Sequence, residues 1–101
     1  MRLGKLTGEC PNFYEVNTTK DMMYMGNKLS LARGLLEEFG KVEDYLVKHS
    51  GRLTKAEFRQ ADMEINYFLG NAVSALDDAI DVLRMIKAKT KAYSEVVSQW
   101  L

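Results

Sequence analysis

The strongest constraint on the fold is a seam of apolar residues in the second half of the chain, at spacings that alternate between three and four. Twelve of its 13 positions are apolar, over six heptads without a slip. Such a repeat predicts a long helix of the coiled-coil type. The seam consists of Phe58, Ala61, Ile65, Phe68, Ala72, Ala75, Ala79, Val82, Ile86, Lys89, Tyr93, Val96 and Trp100.

The start of this helix has its own signal. Thr54 and Glu57 have the spacing of a capping box, in which each side chain binds the backbone N–H of the other. Leu53 and Phe58 stand where a hydrophobic staple would pack. We therefore expect the second helix to cover residues 54–99.

A second apolar stripe lies beside the seam in the middle of this helix. A helix with one neighbour needs one seam, so two stripes imply a wider buried face and at least two packing partners. The stripe consists of Leu69, Val73, Leu76, Ile80 and Leu83.

A first helix is expected near residues 19–49. Its apolar positions follow a 3-4-3-4-3 spacing through Met22, Met25, Leu29, Ala32, Leu36 and Phe39, and a neighbouring stripe adds Leu31, Leu35, Val42 and Tyr45. Thr18 or Thr19 can cap it, with Asp21 as a weaker capping-box partner. Lys48, His49 and Gly51 are typical of a helix end.

These elements divide the chain into an N-terminal arm, 1–17, and a helical hairpin domain, 18–101. The second helix is longer than the first, which leaves its apolar C-terminal end without a partner in the hairpin. A break near Lys87–Lys91, coverage by the arm, or self-association would each solve this. No Gly or Pro interrupts the segment, which favours an unbroken helix and a dimer. The predicted fold is all-α: a long antiparallel helical hairpin with a coiled-coil-like second helix and a short non-helical arm, dimerising into a four-helix bundle.

Composition sets the broad class. The 101 residues carry 14 Lys and Arg against 14 Asp and Glu, so the net charge is zero. The single cysteine, Cys10, allows no intrachain disulfide and fits a reducing compartment. The longest apolar run has four residues, 22–25, far short of a membrane span. We expect a cytoplasmic protein that makes no contact with a membrane.

The chain offers little catalytic chemistry. Asp77, Asp78 and Asp81 have the DDxxD spelling that prenyl-transferring enzymes use for magnesium, but the aspartates fall on the outward face of the helix. His49 is the only histidine, and it is most simply explained as a cation at the end of a helix. No phosphate-binding glycine loop is present. We expect a non-enzymatic protein with no catalytic, cofactor-binding or metal-binding residues and no cofactor.

Binding to another protein is therefore the favoured function, as an adaptor, an inhibitor or an assembly component, together with homo-oligomerisation. The aromatic and apolar residues least explained by the hairpin are the expected contacts: Phe13, Tyr14, Tyr93, Val96 and Trp100. The alternative is a nucleic-acid-binding or regulatory protein that uses the basic stretch 84–91. Its phosphate contacts would be Arg84, Lys87, Lys89 and Lys91.

A dimerising helical hairpin of about 100 residues also resembles the WXG family of small bacterial secreted proteins. The loop here reads His-Ser-Gly-Arg-Leu, 49–53, without the Trp-x-Gly of that family. Val97 stands four residues after Tyr93, where the family has an acidic residue. The resemblance is one of architecture, and it implies a small secreted helical-hairpin protein as a lesser alternative.

Overall fold

The computed structural model describes residues 17–100, without the side chain of Trp100, and this part of the chain is a two-helix hairpin. Helix α1 covers Thr19–Lys48, and helix α2 covers Lys55–Trp100. The two antiparallel helices pack along one another, and the described residues contain no strand. The predicted helical hairpin is confirmed. The arm predicted for 1–17 lies outside the described residues, except for Asn17.

The start of α2 is held by the capping box that the sequence predicts. The backbone N–H of Glu57 donates to Thr54 Oγ1 at 3.1 Å, and the backbone N–H of Thr54 donates to Glu57 Oε1 at 3.3 Å. The Thr54 hydroxyl also donates to Glu57 Oε1 at 2.9 Å. Phe58 remains 61% exposed, so the staple position adds little apolar burial.

The start of α1 differs from the prediction. Thr18 makes no side-chain capping bond, and the backbone N–H of Thr19 donates instead to Asn17 Oδ1 at 3.0 Å. Asp21 points across to α2, where it accepts a bond from Lys89. The predicted Thr–Asp capping box is therefore wrong, because its carboxylate is used between the helices.

The turn between the helices follows from the residues that end α1. Gly51 has a φ of 79°, a left-handed conformation that glycine adopts at little cost. His49 Nδ1 lies 2.9 Å from the Tyr45 carbonyl oxygen, and Arg52 Nη2 donates to the Lys48 carbonyl at 2.7 Å. The Tyr45 carbonyl also accepts the backbone N–H of His49 at 3.1 Å, whereas the Lys48 carbonyl is among those that the end of a helix leaves without an intrahelical partner.

The most deeply buried residues of the contact between the helices are alanines. Within residues 17–99, five alanines expose only 2–6% of their surface, and no large side chain is fully buried. Small side chains let two helix backbones approach closely, but each removes little apolar area from water. The buried alanines are Ala32 on α1 and Ala61, Ala72, Ala75 and Ala79 on α2.

The hairpin is a thin rod. Its radius of gyration is 22.8 Å, whereas a compact domain of about 100 residues has about 13 Å. Its extents are 76 × 15 × 15 Å, and it exposes 7813 Å², against about 5,800 Å² for a compact monomer of 11.5 kDa. Two helices packed as such a rod, over the residues described, have no room for a conventional hydrophobic core.

Helix α2 runs unbroken through 87–91, as predicted. Among the described residues it has one helical neighbour, α1, although its two stripes had suggested at least two. The seam stripe faces α1, while the second stripe, Leu69–Leu83, remains largely exposed.

Candidate interaction surface

One side of the hairpin carries eight neighbouring apolar side chains. Each of them stands one position after a residue that lies between the two helices. Leu69 is half-buried, and the other seven expose between 38% and 57% of their surface. We call this surface the apolar flank. It consists of Met22, Leu29, Leu36, Leu69, Val73, Leu76, Ile80 and Leu83.

The opposite side, which we call the grooved flank, is closed by polar contacts within the chain. Near the loop, Tyr45 Oη donates to Glu57 Oε2 at 2.9 Å beside a groove of about 420 Å³. Further along, Lys28 Nζ lies 3.1 Å from Asp78 Oδ2 beside a second groove. The residues that define this flank are Tyr24, Leu31, Glu38, Tyr45, Glu57, Glu64, Asn71 and Asp78.

The polar contacts of the grooved flank shift ionisation. The hydrogen bond from Tyr45, followed by those from the Thr54 hydroxyl and backbone, lowers the pKa of Glu57. The same bond raises the pKa of Tyr45, because the phenol donates while it keeps its proton. The bond to Asp78 raises the pKa of Lys28. These groups stabilise one another in the charge states they hold at neutral pH.

The basic residues that the sequence indicated for nucleic acid do not share one face. Lys89 turns toward α1, where its Nζ lies 2.7 Å from Asp21 Oδ2. Arg84, Lys87 and Lys91 are exposed on the outer side of α2. Among the described residues, these three make no ion pair. A phosphate-binding surface would therefore rest on three cations rather than four.

The acidic run Asp77–Asp81 does not form a cluster of ligands. Asp78 pairs with Lys28, while Asp77 and Asp81 are exposed on the outer face of the helix. Within residues 17–99, no group of three or more His, Cys, Asp or Glu side chains is arranged to hold a metal ion.

The residues that the sequence proposed as protein contacts lie near the far end of α2 or beyond the described part. Tyr93 and Val96 are half-buried in the segment where α2 extends beyond the start of α1. The side chain of Trp100, together with Phe13 and Tyr14, lies outside the described residues. The proposed contact between the arm and the end of α2 stays a prediction.

Sequence reasoning missed the contribution of α1 to the apolar flank. Met22, Leu29 and Leu36 were grouped with the core of the first helix, but they expose 44–50% of their surface. The contact with α2 is made by Met25, Lys28, Ala32, Leu35, Phe39, Val42 and Leu46. Lys28 stands in this seam and so conceals it from a search for apolar residues, but the position of the small residue Ala32 could have indicated the seam.

Comparison with protein-family models, with curated proteins and with solved structures gave no match to this chain. Neither helix, over the residues described, is apolar enough along its length to cross a membrane.

Proposed function

We propose that this chain is a non-enzymatic helical protein that acts by protein–protein interaction and by self-association through the apolar flank. The observation that carries the proposal is the composition of that flank. Eight neighbouring apolar side chains follow both helices on a single side, with the charged Arg33, which pairs with Glu37, between Leu29 and Leu36 on α1. Contiguous apolar surface of this kind marks an interaction site in soluble proteins.

The proposed self-associated form is a four-helix bundle of two hairpins. Two apolar flanks packed face to face would enclose the leucines, valine, isoleucine and methionine in one core, as in bundles of known architecture. The contact within one hairpin buries only alanines completely and leaves its larger apolar residues half-buried, so it stabilises a rod of this length weakly. Association and folding would then be coupled.

The absence of an assembled reactive site among the described residues supports a binding role. The groove near the loop contains Glu57 and Tyr45, but their polar atoms are bound to each other and to Thr54. The other titratable pairs are two exposed ion pairs along α1 and two partly buried ion pairs between the helices. Such pairs are typical of a hairpin surface.

Two leucines on α1 provide a matched test. Leu29 lies on the apolar flank with 45% exposure, and Leu31 lies on the grooved flank with 51% exposure. We expect Leu29→Gln to reduce the mass measured by light scattering toward that of one chain, while Leu31→Gln leaves the mass unchanged. Equal behaviour of the two variants would show that the interaction surface lies elsewhere.

Nucleic-acid binding is the second candidate, because Arg84, Lys87 and Lys91 are exposed close together on α2. Phosphate contacts weaken steeply as salt rises, whereas an apolar interface barely responds. A variant with all three changed to Gln distinguishes the two functions. Loss of RNA or DNA binding at low salt in this variant, but not in Leu29→Gln, would favour the nucleic-acid function.

A further inference from the structure

We infer that the apolar flank binds a second copy of this chain in the antiparallel orientation, with a two-fold axis that passes beside Leu76 and Leu29. This inference rests on the proposed self-association and adds its register. In the resulting dimer α2 packs on α2 of the partner and α1 on α1 of the partner. An isologous interface of this kind requires a surface that is complementary to itself.

The stripe on α2 meets this requirement, because it is symmetric about Leu76. Leu69 and Leu83 lie seven residues before and after Leu76, while Val73 lies three before and Ile80 four after. A two-fold axis beside Leu76 would set Leu69 against Leu83 of the partner subunit and Val73 near Ile80 of the partner subunit. Large apolar side chains meet at each level of such a contact.

The stripe on α1 is centred on Leu29, which lies at nearly the same position along the hairpin axis as Leu76. Met22 and Leu36 lie seven residues on either side of Leu29. On the grooved flank, the ion pair between Lys28 and Asp78 links the residue before Leu29 to a residue two positions after Leu76. One axis therefore serves both helices.

The register also explains the unequal lengths of the helices. Helix α2 has 46 residues and α1 has 30, so the end of α2 extends beyond α1. Leu76 lies within two residues of the midpoint of α2. A two-fold axis at this point pairs α2 with α2 of the partner over the whole helix, including that end. The antiparallel orientation thus leaves no part of α2 without a helical neighbour.

The contact reaches the size of a standard interface when the whole length of α2 takes part. A helix of 46 residues is about 70 Å long, and the hairpin is 15 Å across. The face along α2 therefore offers on the order of 1,000 Å² per protomer, against roughly 800 Å² per partner of a standard interface. The apolar stripe from Leu69 to Leu83 occupies about 21 Å of that length, and polar residues occupy most of the rest.

Charge favours this orientation over the parallel one. Glu43 and Asp62 are exposed at the loop end of the apolar side, one on each helix. Two hairpins pointing the same way would bring four carboxylates together there, with the two copies of Arg59 nearby. The antiparallel register separates the two ends, so the carboxylates of one hairpin do not meet those of the other.

Cysteine cross-linking tests the register in the full chain with Cys10→Ser as background. In the antiparallel dimer, Leu76→Cys lies near the axis, so a short bis-maleimide should link it to itself. Leu69→Cys alone should give no linked dimer, because the two copies of residue 69 lie about 21 Å apart along the helix. An equal mixture of Leu69→Cys and Leu83→Cys should give the linked heterodimer.

The outcomes separate the register from the association. A dimeric mass in which Leu69→Cys links to itself as efficiently as the mixture would overturn the antiparallel register and leave self-association intact. A monomeric mass for the background chain at all concentrations would overturn both. With Cys10 retained, a link from Cys10 to Leu76→Cys within one chain would place the arm over the flank, which also contradicts the inference.

Discussion

The two flanks of the hairpin differ in whether their side chains find partners within the same chain. On the grooved flank, polar side chains from both helices find partners in the same chain: Tyr45 bonds to Glu57 at 2.9 Å and Lys28 lies 3.1 Å from Asp78. On the apolar flank, Leu29, Leu76 and their neighbours contact the other helix with only part of their surface. The single chain satisfies its polar groups and leaves its apolar groups in contact with water.

This difference distinguishes the residues that align the two helices from those that we propose for assembly. Directional bonds between the helices fix how α1 and α2 align, and they need no second chain. The apolar flank contributes less to that alignment, because its side chains are covered over only part of their surface. The rest of that apolar surface leaves water only when another surface covers it. The seam and the grooved flank therefore pair the helices, and we propose that the apolar flank serves assembly.

The largest effect is expected from a charge at the centre of the apolar flank. Leu76→Asp removes a leucine from both copies, at about 1.5–3 kcal/mol each, and should weaken association at least about a hundredfold. Because the proposed association would stabilise the fold, the melting temperature should also lose its dependence on protein concentration. Tyr67→Asp, a change at a residue that is 63% exposed beside the second groove, is the control and should remain associated.

The contact between the helices is tested by enlarging one of its alanines. Ala75 is 2% exposed, so Ala75→Leu forces the helices apart and should cost about 1–3 kcal/mol. The melting temperature should fall by about 4–8 °C for each kcal/mol. Ala88→Leu places the same side chain at an exposed position of α2 and should change stability by no more than about 0.5 kcal/mol. Equal melting temperatures for the two variants would contradict the close packing at Ala75.

A substitution in the capping box of α2 should lower stability more than a substitution at an exposed position within α2. Thr54→Ala removes the hydroxyl that accepts the Glu57 N–H, and should cost about 1 kcal/mol in a thermal or urea unfolding experiment. Thr54→Ser keeps that hydroxyl and should recover most of the loss. Thr90→Ala deletes a hydroxyl that donates to the Ile86 carbonyl inside the same helix, and is expected to be nearly neutral.

The smallest predicted effect is a dependence on pH at the grooved flank. The pKa of Glu57 is lower in the folded chain than its ordinary value of 4.5, since Tyr45 and Thr54 donate to the carboxylate. Its stabilising contribution is complete above that ordinary value and is lost as the pH falls through the lowered one. The melting temperature of the native chain should decrease as the pH falls through this range. In Glu57→Gln that decrease should be smaller.

At alkaline pH, the stability contributed by the same hydrogen bond falls as the pH rises. The bond to Glu57 raises the pKa of Tyr45 above its ordinary value of 10.0, so this contribution is present below pH 10.0 and is lost as the pH rises through the raised value. Tyr45→Phe should abolish the alkaline loss and reduce the acidic one. An unchanged pH profile in both variants would show that the hydrogen bond contributes nothing to stability in solution.

Residue patterns predicted α2 better than α1 for a physical reason. In α2 the seam is nearly all apolar and its capping box uses residues three apart, so both signals lie within the local sequence. In α1 the contact with α2 includes Lys28 and extends to Asp21, whose partners Asp78 and Lys89 are distant in sequence. Polar residues in a seam are recognisable only when the register of the opposite helix is known.

The same limit applies to the interaction surface. The stripe Leu69–Leu83 was predicted to need a further partner, which stays a prediction, and four of its five residues are exposed in the hairpin. Met22, Leu29 and Leu36 were not separated from the helix contact, because two apolar stripes of the same spacing run side by side in α1. Only the position of α2 shows which of them faces outward.

Sedimentation equilibrium on the unmodified chain tests the central claim most directly, that a second copy covers the apolar flank. Measured over a wide range of micromolar concentrations, the mass should approach twice the 11.5 kDa of one chain and fall only on strong dilution. High salt should not lower it, because burial of apolar surface and not surface charge drives the association. A mass of 11.5 kDa at every concentration would contradict the account.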